Sequence, residues 1–136
     1  MVSFRYREAT TNLPPTSSID LAAKLLEELP VGGRTPLSAG LIKGFDIVRI
    51  HLFKEPCSRP IFIIITDGKA NAALGDGKPV DEALGFALKM AAEERIKFVV
   101  VDTEPSGIVR LGLAGKLAFV LGAEYFNIEN LKANEL

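Results

Sequence analysis

Apolar residues in this chain fall into short blocks with different periods. From Ile61 to Ile65 every position is apolar, with no alternation. Such a run predicts a strand buried on both faces, as in a parallel sheet covered by helices. Lys97 to Val101 predicts a second strand of the same kind. Other blocks carry a helical period: Ile19, Ala22, Ala23, Leu26 and Leu29; then Leu37, Leu41, Phe45, Val48 and Leu52, with Gly40 and Gly44 on nearly the same face; then Ala83, Leu84, Ala87, Leu88 and Ala91. Each is expected to be the buried stripe of a helix. Val2 to Tyr6 and Glu8 to Leu13 read as short strands, the second polar enough for a sheet edge. Arg110 to Leu121 reads as a helix and Glu124 to Asn127 as a last short strand. Helix and strand alternate from residue 18 onward, which predicts an α/β fold with an open, mostly parallel sheet and helices on both faces.

Turn and cap residues mark the boundaries. Pro14-Pro15 ends the second strand, Ser17 with Asp20 three residues later forms a capping-box start, and Pro30 stops the helix that follows. Gly32-Gly33-Arg34-Thr35-Pro36 is a glycine turn entering the next helix, with Thr35 as expected N-cap and Pro36 as first helical residue. The polar, glycine-rich stretch from Asp67 to Pro79 precedes a helix over about Val80 to Glu94 and is the natural contact loop.

Composition narrows the function. The 136 residues are 48% hydrophobic, enough for one domain with a sizeable core. Sixteen basic and seventeen acidic residues leave a net charge of −1, with a sequence pI of about 5.9, which argues against a nucleic-acid partner. Cys57 is the only cysteine, so no internal disulfide can form and a reducing cytoplasm is expected. His51, the only histidine, falls near the end of a predicted helix, where a solvated ring is expected rather than a ligand. No apolar run approaches the roughly 18 residues that span a bilayer, and no secretory leader is apparent.

Candidate chemistry gathers at the end of the Ile61 strand. Asp67 follows it directly, at the C-terminal edge where open α/β sheets bind ligands. Thr35 is placed by its turn to face the same crevice. A hydroxyl and a carboxylate oxygen suit a hard divalent cation such as Mg2+, which keeps several waters and needs few protein ligands. Taken singly, Thr35 reads equally well as a simple cap and Asp67 as the start of a turn. Enzyme motifs are missing: Gly75-Asp76-Gly77-Lys78-Pro79 has too few residues before the lysine for a phosphate loop, and there is no G-x-S-x-G elbow. Asp102 and Glu104 are expected to cap, or to pair with Arg110, rather than to catalyse.

Five segments together carry a family resemblance: Leu13-Pro14-Pro15-Thr16-Ser17-Ser18, Leu29 to Leu37, Thr66-Asp67-Gly68-Lys69-Ala70-Asn71, Val101-Asp102-Thr103-Glu104, and Val109 to Ala114. In their order and spacing the chain resembles the von Willebrand factor A-type domain, and within that group the domain of magnesium chelatase and cobaltochelatase subunits. The resemblance implies a Rossmann-like sheet and a metal-ion-dependent adhesion site to which Thr35 and Asp67 contribute. It also implies that the family's first central strand, with its Asp-x-Ser-x-Ser loop, has no counterpart in residues 1–136. The expectation is therefore a single partial domain in which Thr35 and Asp67 share one ion, with Mg2+ bound in the complete domain and weakly or not at all by this chain. One remedy for the strand gap would be a homodimer.

By the same resemblance the domain is a non-catalytic interaction module. Its partners would be a ring ATPase subunit and a large porphyrin-binding subunit that together insert Mg2+ or Co2+ into a tetrapyrrole. Gly33, Arg34, Lys69 and Asn71, flanking the two ligands, are the expected partner contacts. The alternative is an open-sheet enzyme or nucleotide-binding domain using the same C-terminal edge.

Overall fold

The structure is a computed structural model that describes residues 1–5, 8–27, 36–68, 76–104 and 112–129. Its elements are β1 (Val2–Arg5), β2 (Glu8–Thr11), α1 (Ile19–Glu27), α2 (Leu37–Lys54), β3 (Ile61–Thr66), α3 (Pro79–Met90), β4 (Lys97–Asp102), α4 (Leu113–Leu121) and β5 (Glu124–Asn127). The fold is α/β. Two compact units are present: Met1–Ser58 with Ala70–Ala83, and Arg59–Lys69 with Leu84–Leu136.

In the first unit β1 and β2 pair antiparallel, with Val2 opposite Thr11 and Arg5 opposite Glu8. Asn12 fastens the end of the pair: its Oδ1 accepts the Ser3 N–H at 3.0 Å, and its own N–H donates to the Met1 carbonyl at 2.8 Å. Helix α2 packs on both strands. Its expected stripe is buried at Leu37, Leu41 and Leu52, with Gly40 and Gly44 also buried and Phe45 and Val48 half-buried. Small residues on that face let a backbone lie close to whatever it packs on. The helix starts one residue later than expected, with Pro36 rather than Thr35 in the N-cap position. The Pro36 carbonyl accepts the first helical bond, from the Gly40 N–H at 3.1 Å; only that carbonyl is needed at an N-cap, so a residue without an N–H can occupy it.

Two expectations for α1 are corrected. Ser18, not Ser17, caps it, because the Ser18 hydroxyl accepts the Leu21 N–H at 3.3 Å. Ile19 is 83% exposed and Ala23 is also exposed, so this part of the predicted stripe is not core. Periodicity identifies an apolar face but cannot supply the element that covers it.

In the second unit β3, β4 and β5 form a parallel sheet in that order, with Ile61 beside Lys97, Thr66 beside Asp102 and Asp102 beside Asn127. One face is closed: Ile64, Phe98 and Val100 are buried, and the Phe62 and Phe98 rings lie 5.8 Å apart. Helix α4 packs on β4 and β5 and buries Leu113, Ala114, Leu117, Ala118 and Leu121. It ends in a Schellman turn, in which Gly122 at φ +62° donates to the Phe119 carbonyl and Ala123 to the Ala118 carbonyl. The other face is open, with Ile61, Ile63 and Ile65 at 60, 58 and 50% exposure. The expectation of a β3 buried on both faces is thus corrected. An unbroken apolar run specifies a strand, but among the described residues β3 pairs only with β4 and its odd-numbered side chains are exposed. The α3 stripe is also narrower than predicted: Ala83, Ala87 and Met90 are buried, whereas Leu88 is 67% exposed.

Candidate functional site

The C-terminal edge of the parallel sheet concentrates oxygen atoms. Strand β3 ends in Thr66, Asp67 and Gly68, β4 runs into Asp102, Thr103 and Glu104, and β5 ends in Asn127. The Thr103 N–H donates to the Thr66 carbonyl at 2.9 Å, which carries the ladder one step past the strands and keeps the two exits side by side. Thr66 Oγ1 accepts the Gly68 N–H at 3.2 Å, closing a tight turn around Asp67. Gly68 has φ +75°, a left-handed conformation that a side chain disfavours. Asp67 is thereby held half-buried at the edge, where a carboxylate retains solvent on one side.

Glu104 packs against this turn. It is only 7% exposed, and a Cβ placed on Gly68 would stand 3.2 Å from its Oε2. The same Oε2 accepts the Gly112 N–H at 3.4 Å, at the entrance to α4. Asp102 is equally well held: Oδ1 accepts the Glu104 N–H at 2.8 Å and Oδ2 accepts the Tyr125 hydroxyl at 2.5 Å. The capping role expected of Asp102 is therefore present, and Arg110 lies outside the described residues. Asn127, beside Asp102 in the register, turns its Oδ1 to the Glu129 N–H at 2.9 Å.

Of the residues singled out from sequence, the structure places Asp67 at this edge. Thr35, Gly33, Arg34, Lys69 and Asn71 lie outside the described residues. Glu104 caps as expected, its Oε2 accepting the Gly112 N–H at the start of α4, and it has a second place that sequence reasoning did not foresee. Its buried carboxylate also buttresses the Asp67 turn. The one available signal was its position two residues past a strand that ends in an acid, Asp102.

Chemically the edge offers carboxylate, hydroxyl and carbonyl oxygens, the donor set of a hard cation. Among the described residues, no group of three or more His, Cys, Asp or Glu side chains could hold a metal ion. Described residues thus fit a magnesium-type ion in donor chemistry but supply only part of a ligand set. Also among them, no helix is long and apolar enough to cross a membrane.

No protein-family model matches the chain, and no solved structure does. Curated sequences do match. An uncharacterized protein of Methanocaldococcus jannaschii is 36% identical over 136 residues, which is all of this chain and 77% of that protein. The magnesium-chelatase 67 kDa subunit of Chlorobaculum tepidum is 36% identical over 147 aligned residues, covering all of this chain and 23% of the subunit. The magnesium-chelatase 60 kDa subunit of Cereibacter sphaeroides is 33% identical, again over all of this chain and 24% of the subunit. The chain therefore spans about a quarter of the length of these two subunits.

Proposed function

Because the chain belongs to one family with the Methanocaldococcus protein and the magnesium-chelatase 60 and 67 kDa subunits, we propose that it is a metal-dependent interaction domain of a chelatase-type complex. The observation that carries this proposal is the turn at Asp67: a carboxylate fixed at the C-terminal edge of a parallel sheet by a left-handed glycine and a buried glutamate.

Mg2+ is the resident ion we assign to the site, with the Asp67 carboxylate and the Thr35 hydroxyl as this chain's ligands. When bound, it supplies a positive centre with open positions that an acidic side chain of a partner can fill. Asp67 orients that centre, the Gly68 turn keeps it at the rim, and Gly33, Arg34, Lys69 and Asn71 flank the contact. The partners that fit are the ring ATPase subunit and the large porphyrin-binding subunit of the chelatase, in the cytoplasm. Mg2+ or Co2+ inserted into the tetrapyrrole is the complex's cargo, distinct from the resident ion.

Two side-chain ligands, with no cluster of three metal-binding side chains among the described residues, predict weak binding. Calorimetric titration should give a Mg2+ dissociation constant in the millimolar range or weaker, equivalent to no more than about 4 kcal/mol. Asp67→Ala should abolish the heat that remains. A micromolar constant that survives Asp67→Ala would place the ion elsewhere and remove Asp67 from the function.

A further inference from the structure

A connected line of side chains runs behind the Asp67 turn. Thr66, Asp102 and Asn127 stand in register across β3, β4 and β5, and all three are buried. Tyr125 precedes Asn127 by two residues and so shares its face of the sheet. From there its hydroxyl donates to Asp102 Oδ2 at 2.5 Å. Asp102 Oδ1 accepts the Glu104 N–H at 2.8 Å, which turns the chain at the exit of β4 and sets where Glu104 lies. Glu104 in turn stands against Gly68 and accepts the Gly112 N–H. The line thus starts on β5 and ends at the exit of β3, about 10 Å away at the spacing of neighbouring strands.

We infer that Tyr125 is a positioning residue for Asp67: its hydroxyl fixes Asp102, Asp102 fixes the path of Glu104, and Glu104 fixes the turn that presents Asp67. This role rests on the cation-dependent contact proposed for Asp67, and it adds to that contact a residue two strands away.

Two properties single out the hydroxyl. Asp102 is only 3% exposed, and among the described residues Tyr125 is the only side chain that hydrogen-bonds it. A buried carboxylate oxygen left without a donor is strongly disfavoured. Without the hydroxyl, Asp102 therefore turns toward solvent and carries Oδ1 away from the Glu104 N–H. Tyr125 itself is 44% exposed, so loss of its one oxygen removes little core packing. The same two strands are also tied at their other end, remote from the turn, by an exposed ion pair between Lys97 Nζ and Glu124 Oε1 at 2.7 Å. That pair provides a control for loosening β4 from β5 without touching Asp102.

Amide NMR of the 136-residue chain without added metal, together with Mg2+-dependent binding to the purified ring ATPase subunit, tests the role. Tyr125→Phe should shift the Glu104 and Gly68 amide resonances and weaken binding about three- to tenfold, within the loss expected for one hydrogen bond to a buried charged group. Asp102→Asn keeps an acceptor for the Glu104 N–H and a polar group for Tyr125, so it should stay closer to the wild type than Asp102→Ala does. Lys97→Ala should leave the Gly68 resonance and the binding unchanged. Glu104 and Gly68 resonances that stay in place in Tyr125→Phe would overturn the line of contacts. Wild-type binding by Tyr125→Phe, where Asp67→Ala has lost it, would overturn the positioning role, as would equal weakening by Lys97→Ala. Wild-type binding that is indifferent to Asp67→Ala would instead overturn the cation-dependent contact, and the Gly68 resonance would then decide alone whether Tyr125 sets the turn.

Discussion

Replacing Leu117 by alanine should lower the unfolding free energy by about 2 to 5 kcal/mol. Leu117 is fully buried at the middle of α4, the helix that closes one face of the parallel sheet, where Val100 is also fully buried and Ile64 nearly so. Truncation removes transfer free energy and leaves a cavity, because the strand on which α4 packs is fixed by pairing on both sides and cannot collapse inward. A domain of this size has only about 5 to 15 kcal/mol in hand. Phe119, two residues away on the same helix, is 88% exposed. Phe119→Ala should therefore shift stability by less than about 0.5 kcal/mol. Urea unfolding of both variants checks the pair, and equal losses would mean that α4 does not pack as described.

Gly68→Ala should cost about 1 to 2 kcal/mol and loosen the site as well. Two effects combine. The left-handed φ of +75° is disfavoured for alanine, and the new Cβ would stand 3.2 Å from Glu104 Oε2, a contact tight enough that the buried carboxylate must yield. Moving Glu104 disturbs its bond to the Gly112 N–H at the start of α4. A double-mutant cycle separates the two effects: in a Glu104→Ala background the contact is gone and only the backbone cost should remain, so the two losses should fall short of additivity. Strict additivity would show that Glu104 does not buttress the turn.

Much of this architecture is legible in the chain. The Ile61 and Lys97 runs, the Leu37 helix and the helix end at Leu121 mark their elements within a residue or two, because strand length and helical period are local properties. Coverage is not local. Ile61, Ile63 and Ile65 are as apolar as any core strand, yet half or more of each is exposed, since burial depends on what lies across the sheet. Ile19 and Leu88 were misjudged for the same reason. At the site, Asp67 could be found because an acid after an apolar run has a fixed geometric meaning. The cap made by Glu104 was legible, but its contact with the Asp67 turn was not, because that depends on a glycine 36 positions earlier, brought beside it by the pairing of β3 with β4.

On the proposed function, Asp67 anchors a cation-dependent contact with a chelatase partner. The most direct measurement is binding of this chain to the purified ring ATPase subunit by surface plasmon resonance, in Mg2+ and again in excess chelator, for the wild type and Asp67→Ala. Binding in Mg2+ should be lost both on chelation and in Asp67→Ala, while Phe119→Ala should bind as the wild type does. Binding that persists in chelator, or is unchanged in Asp67→Ala, would contradict it.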